Sequence, residues 1–180
     1  MILETLLVIF VGLLFLYIIV VFLLSPLILP NLGWKSKIND DLPKKVIKDL
    51  EEIGKKYKSK KKVLDKILEY EFDRFESKMF QQFTEFPLLF VKSLNDIWKR
   101  KGYLHCHQQN LLIRYFLLKT KRFTEDDIKL KITNCYFMIH QYIKVKVENN
   151  KWLNVDPFAM RMGEPKHKVL FGSIENLKKK

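Results

Sequence analysis

The run Leu6–Leu24, LLVIFVGLLFLYIIVVFLL, holds no charge and no strongly polar side chain. About 20 apolar residues in a helix cross the hydrocarbon core of a bilayer, and in lipid only a helix or a closed barrel satisfies its own backbone. The run predicts one transmembrane helix, residues 6–24, ended by Ser25-Pro26 and by Pro30-Asn31-Leu32-Gly33. A cleaved signal peptide is the alternative. It calls for a basic amino-terminal region, a shorter apolar run and a small-residue cleavage site. Here Glu4 and no Lys or Arg precede the run, and no A-x-A follows it. We expect a retained anchor in residues 1–34, a polar linker in 35–41 and one domain in 42–180.

Lys35, Lys37, Lys44 and Lys45 follow the run. Excess Lys and Arg normally stay on the cytoplasmic side. The expectation is a single-pass membrane protein with its carboxy-terminal domain in the cytoplasm. Residues 35–180 carry 33 basic against 19 acidic side chains, a formal +14, with 28 Lys to 5 Arg. Arg is the residue that reads guanine bidentately, so no specific nucleic-acid partner is expected. The Lys-rich region 44–62 suits contact with anionic lipid headgroups. The plainer alternative is a solvated basic surface with no specific partner. Cys106 and Cys135 are too few for a disulfide scaffold, and no C-x-x-C provides a zinc site. No cofactor or metal is expected.

Within 42–180 the apolar period is first helical. Asp40 or Asp41 should cap a helix starting near Leu42-Pro43 and carrying Val46, Ile47, Leu50, Ile53 and Tyr57, with the break contained in Gly54 and the Lys-rich run 55–62. A second helix should carry Val63, Leu64, Ile67, Leu68, Phe72, Phe75 and Met79. A third fits Leu88–Trp98 and ends at Lys101-Gly102. From Cys106 to Lys119 the chain is apolar nearly all round, which predicts a buried helix. The period then changes to two, along Ile128–Ile132 and Tyr136–Val147. Helices followed by strands argue for an α+β fold.

The stretch from His140 to Pro157 reads as a β-hairpin whose register decides its chemistry. A two-residue loop at Asn149-Asn150 would set aliphatics opposite polar groups. A three-residue loop, 148–150, pairs Val145 with Leu153 and Ile143 with Val155 on one apolar face. In that register His140 and Asp156 share a face as diagonal neighbours, close enough for their side chains to meet. An aspartate that accepts from His Nδ1–H fixes the tautomer and stabilises the imidazolium. Cys106, at a predicted helix start, is the matching nucleophile, because a helix N-terminus favours a thiolate. Each residue alone is more often structural. Together they follow the logic of nucleophile, base and orienting group.

These residues resemble the transglutaminase-like domains of the papain-like cysteine peptidase fold. The matches are Gly102 and Cys106 near a helix start, then His140 in a strand, then W-x-x-x-D-P at Trp152, Asp156 and Pro157. The family often has its glycine two residues before the cysteine, where this chain has Leu104. The resemblance covers about residues 98–160. It implies Cys106 as nucleophile, His140 as general base and Asp156 as the group orienting it. The implied enzyme is a hydrolase or acyl transferase acting on peptide or amide bonds of a protein or peptide substrate through a thioester. His105 and His107, which flank Cys106, are expected as exposed helix-start residues; the alternative is that they raise its thiolate character when charged. Two other readings stand beside it: a catalytically silent module tethered for binding, and a basic membrane-surface protein.

Overall fold

The computed structural model describes residues 2–39, 41–72, 74–78, 81–135 and 138–170, with backbone alone at Gln82, Phe83 and Phe86. Ile2–Ile28 is one continuous helix, long and apolar enough to cross a membrane. It runs as α1 (Ile2–Ile18), widens into a π-helical turn at Ile19–Leu24, and resumes as α2 (Ser25–Ile28). Ser25-Pro26 therefore does not end it. Pro26 sits in the first turn of the resumed α-helix, where a missing N–H is no loss, and the Ser25 N–H reaches the Val20 carbonyl across the wider turn. The break comes at Leu29, whose ψ of 130° is the extended conformation favoured before a proline. No residue of α1 is buried, unlike a helix inside a core.

The segment after the helix is not a free linker. Leu29, Asn31 and Leu32 are buried. The Asn31 amide donates to the His107 carbonyl at 3.1 Å, and its side-chain oxygen accepts from Arg114 Nη1 at 3.2 Å. Arg114 Nη1 also donates to the Ser36 carbonyl at 2.9 Å. Lys35 pairs with Glu125 at 3.1 Å, and Ile38 packs on the main core.

The helices are α3 (Lys44–Lys56), α4 (Lys60–Phe72), α5 (Gln81–Thr84), α6 (Leu94–Lys99), α7 (Cys106–Lys119) and α8 (Pro157–Arg161). Three differ from expectation. Asp41 does not cap α3, which begins after Pro43 with no side-chain cap; it accepts from Ser93 Oγ at 2.7 Å instead. Asp40 lies outside the described residues. The break falls at residues 57–59, within the expected stretch 54–62; Gly54 itself lies inside α3, where a Cβ would come within 2.0 Å of the Thr120 carbonyl at the end of α7. The second helix stops at Phe72, since Phe75 leaves it to pair with Gly102 in a parallel bridge between β1 (Phe75–Glu76) and β2 (Gly102–Tyr103). Met79 lies outside the described residues. The third splits into a 3-10 turn at Phe86–Phe90 and α6, because Ser93 caps a new start by accepting from the Asp96 N–H at 3.1 Å.

Helix α7 has the expected bounds and is buried from His107 to Leu117. It packs against α3, α4, α6, α8 and the central strand. The sheet runs β3 (Ile128–Cys135), β4 (Met138–Lys146), β5 (Trp152–Val155), antiparallel and in that order. Tyr136, the expected strand start, lies outside the described residues. The fold is thus α+β: a helical amino-terminal part, a small antiparallel sheet and one apolar leading helix. Val145 pairs with Leu153 and Ile143 with Val155 around a three-residue turn at Glu148–Asn150. Asn149 and Asn150 supply the left-handed backbone there, at φ 55° and 57°. Ile143, Val145 and Val155 are fully buried. The register, continued by one residue, sets Tyr142 opposite Asp156.

A candidate cysteine–histidine–aspartate site

Cys106 opens α7, His140 lies in β4, and Asp156 ends β5 and begins α8. Strand alternation decides which side of β4 each residue serves. His140 faces Asp156, and Gln141 faces the opposite way, toward the segment that follows the apolar helix. The His140 ring donates from Nε2 to Asp156 Oδ2 at 2.6 Å. The sequence reading put the aspartate on Nδ1. The diagonal offset of the two strands brings Nε2 to the carboxylate, which leaves Nδ1 for the thiol of Cys106.

Asp156 is held by its whole surroundings and is only 1 % exposed. Its Oδ1 accepts from the Ala159 N–H at 3.0 Å, as the cap of α8. Its Oδ2 accepts from His140 and from the Leu170 N–H, the latter at 3.0 Å. A carboxylate fixed by two backbone donors cannot swing away from the imidazole. The Phe158 ring stands 5.7 Å from the His140 ring, tilted against it.

The Cys106 side chain is partly exposed and hydrogen-bonds to the side chains of His140 and His107. Burial alone would push its thiol up, but those hydrogen bonds and the histidine charges outweigh it and bring the thiol down to about 6. Burial pulls His140 down, yet the charge and hydrogen bond of Asp156, with help from Cys106, push it up to about 10. Both shifts favour the form of the pair with a thiolate beside an imidazolium. Cys135 is the opposite case. Burial, with the charges of Asp156 and Cys106, pushes its thiol up to about 11.

His105 and His107 are not exposed helix-start residues; they are 4 % and 3 % exposed. His105 Nε2 donates to the Glu85 carbonyl at 3.0 Å, and its Nδ1 meets the Tyr103 hydroxyl at 3.3 Å. Burial pulls it down to about 4, so it stays neutral. His107 Nε2 donates to the Leu89 carbonyl at 3.1 Å, leaving Nδ1 toward the thiol. Gly102 takes φ +92°, a left-handed turn before the cysteine, while Leu104 is fully buried.

Sequence reasoning held a role for His107 at the thiol only as an alternative, and missed the Leu170 N–H on Asp156 and the Asn31–Arg114–Gln141 network. The last had a signal. Gln109, Asn110 and Arg114 are polar residues in a helix otherwise apolar all round, and buried polar groups require partners. Leu170 had none, since a backbone donor carries no mark in the sequence.

No family model matches this chain, and no curated protein and no solved structure matches it either. The functional reading therefore rests on the chain's own geometry.

Proposed function

We propose that this chain is a membrane-anchored cysteine enzyme with a transglutaminase-like site, acting on amide or peptide bonds through a thioester on Cys106. The observation that carries the reading is the 2.6 Å hydrogen bond from His140 to Asp156 beside the Cys106 thiol, whose pKa the same imidazole lowers. The thiolate attacks the carbonyl carbon, and the amide C–N bond breaks as His140 gives its proton to the leaving nitrogen. Water or a second amine then attacks the thioester, with His140 taking its proton. Water gives hydrolysis, and an amine gives acyl transfer. Asp156 keeps the ring aligned and the imidazolium stabilised through both halves. The Cys106 N–H, first in α7, has no partner inside its own helix and suits the developing oxyanion.

The apolar helix Ile2–Ile28 is the anchor in this reading, and the lysines that follow it favour a cytoplasmic domain. Exposed lysines of α3 and of the α3–α4 junction, such as Lys48, Lys55 and Lys58, add salt-sensitive attraction to anionic lipid. The test is selective alkylation. Iodoacetamide should modify Cys106 rapidly and Cys135 slowly at neutral pH, and Cys106→Ala should abolish any amide turnover. Equal, slow labelling of both cysteines would sink the reading.

A further inference from the structure

The Cys106 thiol borders two spaces of different character. One is a small cavity of about 30 Å³ on the His140 side, in contact with Tyr103, Cys135 and Phe158. The other is an apolar cavity of about 390 Å³. Its walls include Val21, Leu24 and Ile28 from the apolar helix and Leu89, Phe90 and Ile139 from the domain, with Cys106 among them. Its size is that of a ligand site. The helix-side wall starts at Tyr17 in α1 and continues through the π-helical turn, which packs on β4 beside the site. A helix of 27 residues is about 40 Å long, against a hydrocarbon core of about 30 Å. The carboxy-terminal stretch of such a helix, which walls the cavity, reaches the lipid–water boundary.

We infer that the apolar cavity seats the aliphatic chain of a membrane-resident long-chain acyl amide whose carbonyl is presented to Cys106. This deepens the cysteine-enzyme reading and rests on it. A peptide would need polar partners for its backbone, and the helix-side wall of this cavity is nearly all aliphatic and aromatic. A hydrocarbon chain needs none, and the bilayer beside the helix is where such chains reside. The thiolate forms a C–S bond to the acyl carbon as the C–N bond breaks. His140 protonates the departing amine. Water then attacks the thioester and gives a proton to His140, and the C–S bond breaks to leave a fatty acid and the Cys106 thiolate. The small cavity beside His140 is large enough for one attacking water.

The test uses the full chain in phospholipid nanodiscs and bromomethyl ketones bearing a methyl, a heptyl or a pentadecyl chain. These alkylate a thiolate while placing a carbonyl and its chain as the substrate would. Cys106 alkylation is followed by mass spectrometry, with iodoacetamide as the chain-free reference. Each methylene seated should raise the rate by about fourfold until the cavity is filled. The heptyl reagent should outrun the methyl one more than about a hundredfold. Val21→Trp, or Leu24→Trp should the first variant misfold, fills the cavity and should cut that ratio at least tenfold, with iodoacetamide labelling unchanged. A ratio equal in wild type and variant means partition into lipid alone and overturns the proposal. So do equal rates for all three chains, although rapid iodoacetamide labelling would leave the enzyme reading standing. Slow iodoacetamide labelling of wild-type Cys106 removes both.

Discussion

Gln141 reaches across 110 residues of sequence to hydrogen-bond the Asn31 carbonyl, and the same amide donates to the Leu32 carbonyl at 2.7 Å. It does so from the residue next to His140, on the opposite face of β4. Asn110 in α7 donates in turn to the Gln141 carbonyl at 2.9 Å and to its side-chain oxygen at 3.1 Å. The strand that holds the candidate base is thus tied to the segment leaving the apolar helix.

Asn31→Ala should loosen that tie. Asn31 is fully buried at φ 59°, where asparagine is tolerated and alanine is strained. The change also removes partners from Arg114 and the His107 carbonyl. The expected loss is about 1–3 kcal/mol, the usual cost of orphaned buried polar groups. Thermal unfolding measures it, and limited proteolysis should show new cleavage between residues 29 and 41. A protein as stable and as resistant as wild type would refute the tie.

Alkylation of Cys106 should follow its thiolate. Its thiol is lowered to about 6, so the rate should be flat at neutral pH and fall on the acid side of about 6 as the sulfur takes up a proton. Asp156→Asn removes the charge that holds His140 up. The imidazolium then gives up its proton at lower pH, the thiolate loses its partner, and the acid limb moves toward higher pH. Iodoacetamide rates across the acid and neutral range give both profiles. Superimposable curves would remove Asp156 from the electrostatics of the site.

The hairpin loop offers a test of register. Deleting Asn150 leaves a two-residue loop, which slips β5 by one position and turns Asp156 to the other face. Amide proton exchange at Leu153 and Val155 should report the new pairing. Cys106 labelling should fall toward the rate of Cys135. Unchanged labelling with a shifted register would detach the carboxylate from the thiol's reactivity.

Arg161 tests the support beneath the site. It pairs with Glu71, and both side chains are almost fully buried. It also donates to Gln109 Oε1 at 2.6 Å and to the Phe75 carbonyl at 3.0 Å. Arg161→Leu strands the Glu71 carboxylate, and breaking one half of a buried pair costs about 3–5 kcal/mol. Denaturant unfolding should show that loss, with partial recovery in the double variant Glu71→Leu, Arg161→Leu. No difference between the single and double variants would contradict the pairing.

The elements legible in the sequence are those governed by periodicity. Helix α7 has its expected ends because its first turn and its last lysine bracket an apolar run. The β4–β5 register followed from matching Ile143 and Val145 to Val155 and Leu153. Segments decided by long-range partners were misread. Asp41 left its cap for Ser93, and Phe75 left its helix for Gly102. The candidate site was visible as three residue types in order. Its ring-nitrogen assignment was not, since that depends on strand offset at the level of single atoms.

The buried residues 29–32, with the Arg114 hydrogen bond to the Ser36 carbonyl, fasten the helix to the domain. On the anchored reading, Cys106 stays at one height above the lipid and meets its substrates by lateral diffusion. Its working concentration is then molecules per unit area of membrane, not molecules per unit volume of cytoplasm. Dilution of the surrounding solution would leave its turnover unchanged, and dilution of the substrate by added lipid would slow it.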